Sequence, residues 1–340
     1  MLAFDVPLSW EDPAAAAARA EADGMDGVWT AEGTHDPHLT LAVAATATRR
    51  IVLGTAITVA FVRSPMVHAM TFWDLHRMAP GRVVLGLGSQ VKAHNQRRYS
   101  VAFDHPAPRM RDMIRAIRAI WRCWQYGEAL DYRGEFYTHT LMTPFFNPGP
   151  VDGPMPRIFV AAVNPHMLAV AGAEADGVHV HPLHSERTLD QLTIPSVRRT
   201  AAAAGRDAGA LEFCAPAMIA TGRDADAVAA NRDRMRSQVA FYASTRTYRG
   251  LLEEHDRGEL CDALHALSLR GAWEEMPRRI DDELLDAFCV SATWEDLAAA
   301  LVRRYASRVQ RIMPYALGAP ETPWASIAAE IRAGAVGTAA

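Results

Sequence analysis

The chain has 340 residues, half of them hydrophobic and 22% charged, with a formal net charge of −4. That length suits one large α/β barrel or two medium domains with an ample core, and the weakly acidic balance offers nothing to nucleic acid or to an anionic membrane surface. No apolar run reaches membrane-spanning length and no basic-then-apolar leader opens the chain, so a cytoplasmic protein is expected.

Strand and helix signals alternate from the start. Residues 2–6 form a short apolar strand. Asp12 caps the following helix, Pro13 opens it and Gly24 stops it. A second strand over 27–30 ends in the polar loop 32–38. Residues 39–48 predict a helix, 51–58 a third strand, and Pro65 opens a helix that runs to Met78. Residues 82–88, Arg-Val-Val-Leu-Gly-Leu-Gly, are an apolar run without polar alternation, the pattern of a strand buried on both faces. Its two glycines permit a sharp turn or a close approach. The run resembles half of a dinucleotide fingerprint, but the third glycine and the later acidic residue are missing, which excludes that reading.

A helix over 108–124 carries Met110, Met113, Ile114, Ile117, Ile120, Trp121 and Trp124 at helical spacing, a core-facing stripe. Residues 129–150 mix aromatics with Gly and Pro and predict an inserted hairpin or loop, either covering a pocket or simply packing. Strands follow at 157–161, 177–181 and 211–221, and helices at 165–172 and 188–204. The stretch 224–286 is helical and longer than one crossover needs. Residues 287–291 predict the last strand, with Thr293 capping a final barrel helix. Eight strand–helix repeats point to a (β/α)8 TIM barrel with insertions, a single domain over 1–320, followed by a helix and tail over 321–340. A doubly wound sheet is the alternative. Four cysteines without CxxC spacing read as reduced structural residues.

Function in a barrel collects where strands end. The loop after strand two holds Glu32, His35, Asp36 and His38 within seven residues, close enough to exchange protons; a solvated loop capped by Asp36 is the plainer alternative. At 54–58 a glycine and small residues leave room for a flat ligand, or simply for packing. Ser89 and Gln90 offer hydrogen-bonding groups after strand four. Residues 162–164, Ala-Val-Asn, precede Pro165 at a helix N-terminus, where free N–H groups suit phosphate and Asn164 suits a cap. His179 and His181 share a strand face, with His184 beyond; lining a pocket or the core suits them better than binding a metal, because no third ligand lies nearby.

These strand ends carry a resemblance. The segments Gly-Val-Trp-Thr-Ala-Glu at 27–32, Leu-Gly-Thr-Ala-Ile at 53–57, residues 82–89, Ile-Phe-Val-Ala-Ala at 158–162 and Gly-Val-His-Val-His at 177–181, entered through Ala-Asp-Gly, resemble the luciferase-like superfamily of flavin and deazaflavin oxidoreductases. The similarity runs in order over roughly residues 1–310 and is nearest to the F420-dependent branch. It implies a (β/α)8 barrel, usually dimeric, holding F420 or alternatively FMN at its C-terminal mouth. It implies a non-prolyl cis bond at Ala56–Ile57 behind the ring. Thr55, Ala56, Ile57, Gly88, Ser89 and Gln90 would then line the ring, with Ala162, Val163, Asn164 and His181 towards the phosphate. Glu32 stands where the sugar-phosphate dehydrogenases of the superfamily carry a His, and Val91 where they carry an acid. Sugar phosphate is therefore disfavoured, and His35 or Glu32 becomes the expected proton-transfer group.

The expected activity is hydride exchange between F420 and a small organic substrate. The alternatives are an FMN-dependent monooxygenase using oxygen and a non-catalytic flavin-binding barrel. No metal, nucleic acid or membrane partner is expected, and a homodimer is. Lys92 is the only lysine among 35 basic Lys and Arg residues, a bias that suggests a GC-rich actinobacterial host.

Overall fold

Short Val-, Ile- and Leu-rich runs, each followed by a helix, pair side by side in chain order and close into a ring. The structure is a computed structural model and describes residues 1–337. The strands are β1 Ala3–Pro7, β2 Gly27–Thr30, β3 Val52–Thr55, β4 Val83–Gly88, β5 Arg157–Ala162, β6 Gly177–Val180, β7 Glu212–Gly222 and β8 Arg311–Ala316. All neighbours are parallel, and β8 returns to β1 through Ala3↔Arg311 and Phe4↔Ile312. The molecule is thus a (β/α)8 barrel.

Helices between the strands cover the outside. The first and third open at Pro13 and Pro65 as the sequence predicts, capped by Asp12 and Ser64; the second opens at Pro37 behind its cap Asp36, two residues before the expected start. The predicted apolar stripe lies on helix Pro106–Tyr126, and Met110, Ile114, Ile117 and Trp121 are fully buried. The insertion packs against helices Pro65–Met78 and Pro106–Tyr126: its Gly149 carbonyl accepts Trp73 Nε1 at 3.0 Å and its Tyr137 hydroxyl accepts Arg109 Nε at 3.0 Å. Its hairpin, Tyr132–Arg133 against Thr138–His139, is fixed by Asp112, which accepts the Phe136 and Tyr137 N–H groups at 2.6 and 3.0 Å.

The sequence reading of the last strand needs correction. Cys289–Thr293 is a strand, but it pairs with the far half of β7 (Met218↔Cys289 to Gly222↔Thr293) and lies outside the ring. The eighth barrel strand is Arg311–Ala316, and helix Trp324–Gly337 follows it as the eighth barrel helix. Charge at Arg311 and proline at 314 hid this strand from an apolar-run criterion. The helical stretch after β7 builds its own core from Met235, Val239, Leu252, Leu264, Leu285 and Phe288. All four cysteines are free and buried.

The lumen is filled in layers. At its floor Asp5, fully buried, accepts Arg311 Nη2 and Nε at 2.6 and 2.7 Å and Trp29 Nε1 at 2.7 Å. Burial pulls the Arg311 pKa down, but the Asp5 charge and hydrogen bonds more than reverse this and hold it above the usual arginine value. Above lies a layer of Trp29, Val84, Phe159 and Cys214, with Ala56 and Met313 packed onto it. The glycines of the strands make room for it. A β-carbon on Gly54 would stand 2.2 Å from the Trp29 ring, and one on Gly86 would stand 1.8 Å from the Thr55 carbonyl. The flat ring that Gly54 accommodates is therefore the chain's own.

Replacing Arg311 by Met would leave the Asp5 charge sealed in the lumen with only the Trp29 N–H. Losing one partner of a buried pair costs about 3–5 kcal/mol. Urea unfolding of Arg311→Met is expected to show that loss. A change below about 1 kcal/mol would place the pair in the class of solvated ones.

Candidate active site

The feature that shapes the mouth is a bulge in β3. Gly54 pairs with Val84 and Thr58 with Leu87, so three residues of the β3 chain oppose two of β4. The Ala56–Ile57 peptide within this bulge is cis. Thr55 spans the interrupted ladder: its hydroxyl donates to the Gly86 carbonyl at 2.9 Å and accepts the Gly86 N–H at 3.0 Å. Ile57 lies over Gly88, where a β-carbon would come within 2.6 Å of its side chain.

The loop after β2 holds the bulge. The Ala56 N–H donates to the Thr30 carbonyl at 2.8 Å, and the Glu32 N–H donates to the Ile57 carbonyl at 3.0 Å. The buried Glu32 carboxylate accepts the Val59 N–H at 2.8 Å and Arg63 Nη1 at 2.9 Å. Arg63 reaches Asp36 with its other nitrogen at 2.9 Å. Asp36 meets His38 Nδ1 at 3.1 Å, and His38 Nε2 lies 3.0 Å from the Thr58 hydroxyl. Glu32 and His38 thus grip adjacent residues beyond the bulge.

The charges here are ordered. Burial pulls Arg63 down, but its bonds to Glu32 and the nearby carboxylates carry it above its usual value. Burial pulls Asp36 up, yet the His38 N–H bond and the His38 and Arg63 charges leave it below the ordinary carboxylate value. His38 is lowered by burial despite Asp36. Tyr99, whose hydroxyl points at Glu32 from 3.5 Å, is raised by burial and by the Glu32 charge.

The remaining expected residues fall as follows. His35 is exposed and stacks on Trp10, ring centroids 4.1 Å apart. Ser89 is half-buried, and its carbonyl accepts the Asn95 amide at 2.9 Å. Gln90 turns with φ at 55° and accepts the Val91 N–H at 3.0 Å, so its backbone reverses just beyond β4. Ala162 and Val163 lead to Asn164, the N-cap of helix Pro165–Glu174, whose side chain makes no capping bond. The first turn of that helix keeps its N–H groups unclaimed by the cap. Across the mouth, the His181 ring packs tilted against Tyr248 at 4.0 Å and meets Tyr242 edge-on at 4.9 Å.

The three histidines near β6 do not converge. His179 lies perpendicular to the Trp29 ring, centroids 4.8 Å apart, inside the lumen. His184 sits between the His181 carbonyl at 2.8 Å and the Tyr305 hydroxyl at 3.1 Å. No cluster of three or more His, Cys, Asp or Glu side chains able to hold a metal occurs among the described residues. No helix among them is long and apolar enough to cross a membrane. Arg63, Tyr242, Tyr248 and Tyr315 were not found from sequence, because none carries a local motif.

Comparison with known proteins agrees with this architecture. The family described as luciferase-like monooxygenase matches residues 6–311. An uncharacterized protein of Mycobacterium tuberculosis is 45% identical over 316 residues, covering 93% of each chain. A 5,10-methylenetetrahydromethanopterin reductase of Archaeoglobus fulgidus is 27% identical over 285 residues, covering 82% of this chain and 81% of its own. Among solved structures, the coenzyme F420 dependent tetrahydromethanopterin reductase from Methanopyrus kandleri superposes with a TM-score of 0.75 at 20% identity, covering 97% of this chain and 96% of its own.

Burial pushes His179 and His181 down to about 3 and His184 to about 4, from an ordinary 6.5. These rings are neutral in the fold and would take a proton on unfolding, so their contribution to stability is present above pH 6.5 and lost as pH falls towards 4. Each costs up to ~1.4 kcal/mol per pH unit across that window. NMR of the imidazole protons is expected to show all three untitrated at pH 5.5, whereas midpoints near the ordinary histidine value would show that water reaches them.

Proposed function

Because the chain belongs to the luciferase-like monooxygenase family of oxidoreductases, we propose that it binds the deazaflavin coenzyme F420 at the barrel mouth and uses it on a small organic substrate. The observation that carries this reading is the braced bulge at Ala56–Ile57, a preformed wall of small and apolar atoms against which a flat ring can lie. The F420 dependent reductase and the F420-dependent alcohol dehydrogenase among the similar solved structures support the deazaflavin reading.

When bound, the coenzyme supplies or accepts the hydride. The chain's residues bind, orient and exclude water. Ala56 and Ile57 would back the ring, with Gly88 beneath Ile57 and Ser89 and Gln90 at its edge. Thr55 acts one layer below, tying β3 to β4. Ala162, Val163 and Asn164 would offer the helix N-terminus to the phosphate, and His181 would close the far side. Glu32 keeps the bulge in place with Arg63, a positioning role; both of its oxygens already face partners. His35, stacked on Trp10 in solvent, is poorly placed to hold a proton at the ring.

The reading with FMN and oxygen is kept for the family's own description. Titrating the purified protein with each coenzyme separates the two. Micromolar binding of F420 is expected, and binding of FMN alone would reverse the choice. In the same titration Glu32→Gln, which keeps an acceptor but loses the charge facing Arg63, is expected to weaken F420 about tenfold, or ~1.4 kcal/mol. Unchanged affinity would detach Glu32 from the site.

We also propose a homodimer. Leu39, Val43, Val67, Met70 and Phe146 expose apolar side chains on helices Pro37–Ala47 and Pro65–Met78 and on the insertion, a surface that a second copy would cover. Sedimentation velocity is expected to give a dimer that Met70→Glu converts to monomer, and a monomeric parent protein would end this reading.

A further inference from the structure

The lumenal face of β8 alternates Arg311, Met313 and Tyr315. Arg311 reaches Asp5 at the floor, and Met313 packs onto the Trp29 layer. The period of two along a strand carries Tyr315 to the same face, one step nearer the mouth. β6 repeats the pattern, with His179 against Trp29 and His181 two residues on. Between these strands the segment after β7 delivers Tyr242, whose hydroxyl lies 3.2 Å from that of Tyr315. Tyr242, His181 and Tyr248 continue as an aromatic arc around the rim.

Two phenol hydroxyls that share one hydrogen bond have one proton left over. The Tyr315 hydroxyl has no other hydrogen-bond partner among the described residues, and its side chain is half-exposed at the mouth. In the loop after β2 Glu32 is engaged by Val59 and Arg63, His38 by Asp36 and Thr58, and His35 by Trp10. We infer that the Tyr315 hydroxyl, backed by Tyr242, holds the oxygen of the substrate and supplies its proton.

This inference rests on the mouth being the coenzyme site. In the reducing direction the substrate is a carbonyl compound. Its carbon gains the hydride, with two electrons, from the reduced coenzyme, and the C=O π pair moves to oxygen. The Tyr315 O–H bond breaks as the new O–H bond forms on that oxygen, and the phenolate recovers a proton from water at the open rim. Tyr242 is held well above the usual tyrosine range, first by burial and then by its bond to Tyr315. It therefore stays protonated and stabilises the Tyr315 phenolate by donating to it. His181 and Tyr248 give the carbonyl's substituent an aromatic surface, so an aryl or extended apolar group fits better than a polar one.

Two measurements on Tyr315→Phe, which keeps the ring, test this. The first is calorimetric binding of benzamide, a carbonyl-bearing arene that cannot accept hydride, to protein without coenzyme. The variant is expected to bind about tenfold more weakly; equal affinity, or no binding to either protein, overturns the inference. The second is single-turnover oxidation of reduced F420 by aryl ketones, expected to slow about a hundredfold with F420 affinity unchanged. A wild-type rate in the variant overturns the inference and leaves the coenzyme reading standing. Failure of the parent protein to bind F420 removes that reading and the proton-transfer half of the inference, while the benzamide comparison still decides whether Tyr315 holds an oxygen.

Discussion

A closed ring of eight strands leaves a lumen that must be filled from within, and Trp29 is the side chain around which this one is filled. Its N–H is committed to Asp5, its ring atoms lie where a β-carbon at position 54 would stand, and it meets His179 at right angles. A buried indole N–H needs an acceptor, which accounts for Asp5. A buried carboxylate needs a counter-charge, which accounts for Arg311. The same ring sets the height of the floor of the mouth. Ala56 and Met313 pack onto its layer, and the residues above them are small or half-exposed.

The bulge in β3 is the next consequence. An extra residue cannot pair with β4, so its backbone groups must find partners elsewhere. The loop after β2 provides them, using the Thr30 carbonyl, the Glu32 N–H and the Glu32 carboxylate. A carboxylate used in this way carries charge into a buried place. Arg63 balances it, Asp36 shares Arg63, and His38 links Asp36 back to Thr58. Each member meets another at hydrogen-bond distance, which is the condition for a polar network to be buried without penalty. The group richest in proton chemistry by sequence is therefore, by geometry, a brace.

Much of this was legible in the residues, for identifiable reasons. Proline-opened helices and Val-rich runs located the first seven strands to within a few positions, because burial on both faces leaves a strong apolar signal. The eighth escaped because its lumenal face carries Arg311 and its outer face Pro314, while Cys289–Thr293 imitated it with a cleaner apolar pattern. The glycines at 54, 86 and 88 correctly announced close approaches. A glycine in a strand does not say what approaches, and at all three positions it is the chain itself: Trp29, the Thr55 carbonyl and Ile57. The cis bond at Ala56–Ile57 followed from the family resemblance and not from composition. Arg63 left no local trace, since its partners are 27 and 31 residues away.

The two walls of the mouth have different mechanical support. The braced wall is built from loops of the barrel itself, so a change in Glu32, Arg63 or Thr58 reaches the lumen through β3 and β4. The aromatic wall leans on the segment after β7, which has its own core around Met235, Val239, Leu252 and Phe288. That segment rests on β7 and the chain after β6: its core takes in Met218, Ala220 and Leu183, Asn231 donates to the Thr221 carbonyl at 2.6 Å, Cys289–Thr293 pairs with β7, Tyr242 meets the Tyr315 hydroxyl, and His255 lies 2.8 Å from the Ser185 hydroxyl. Substitutions on its inner face can thus reshape one side of the mouth while the Trp29 layer and the bulge stay as they are. In a barrel whose lower lumen is tightly packed, this division lets the surface that meets a variable ligand change without disturbing the surface that holds a constant one.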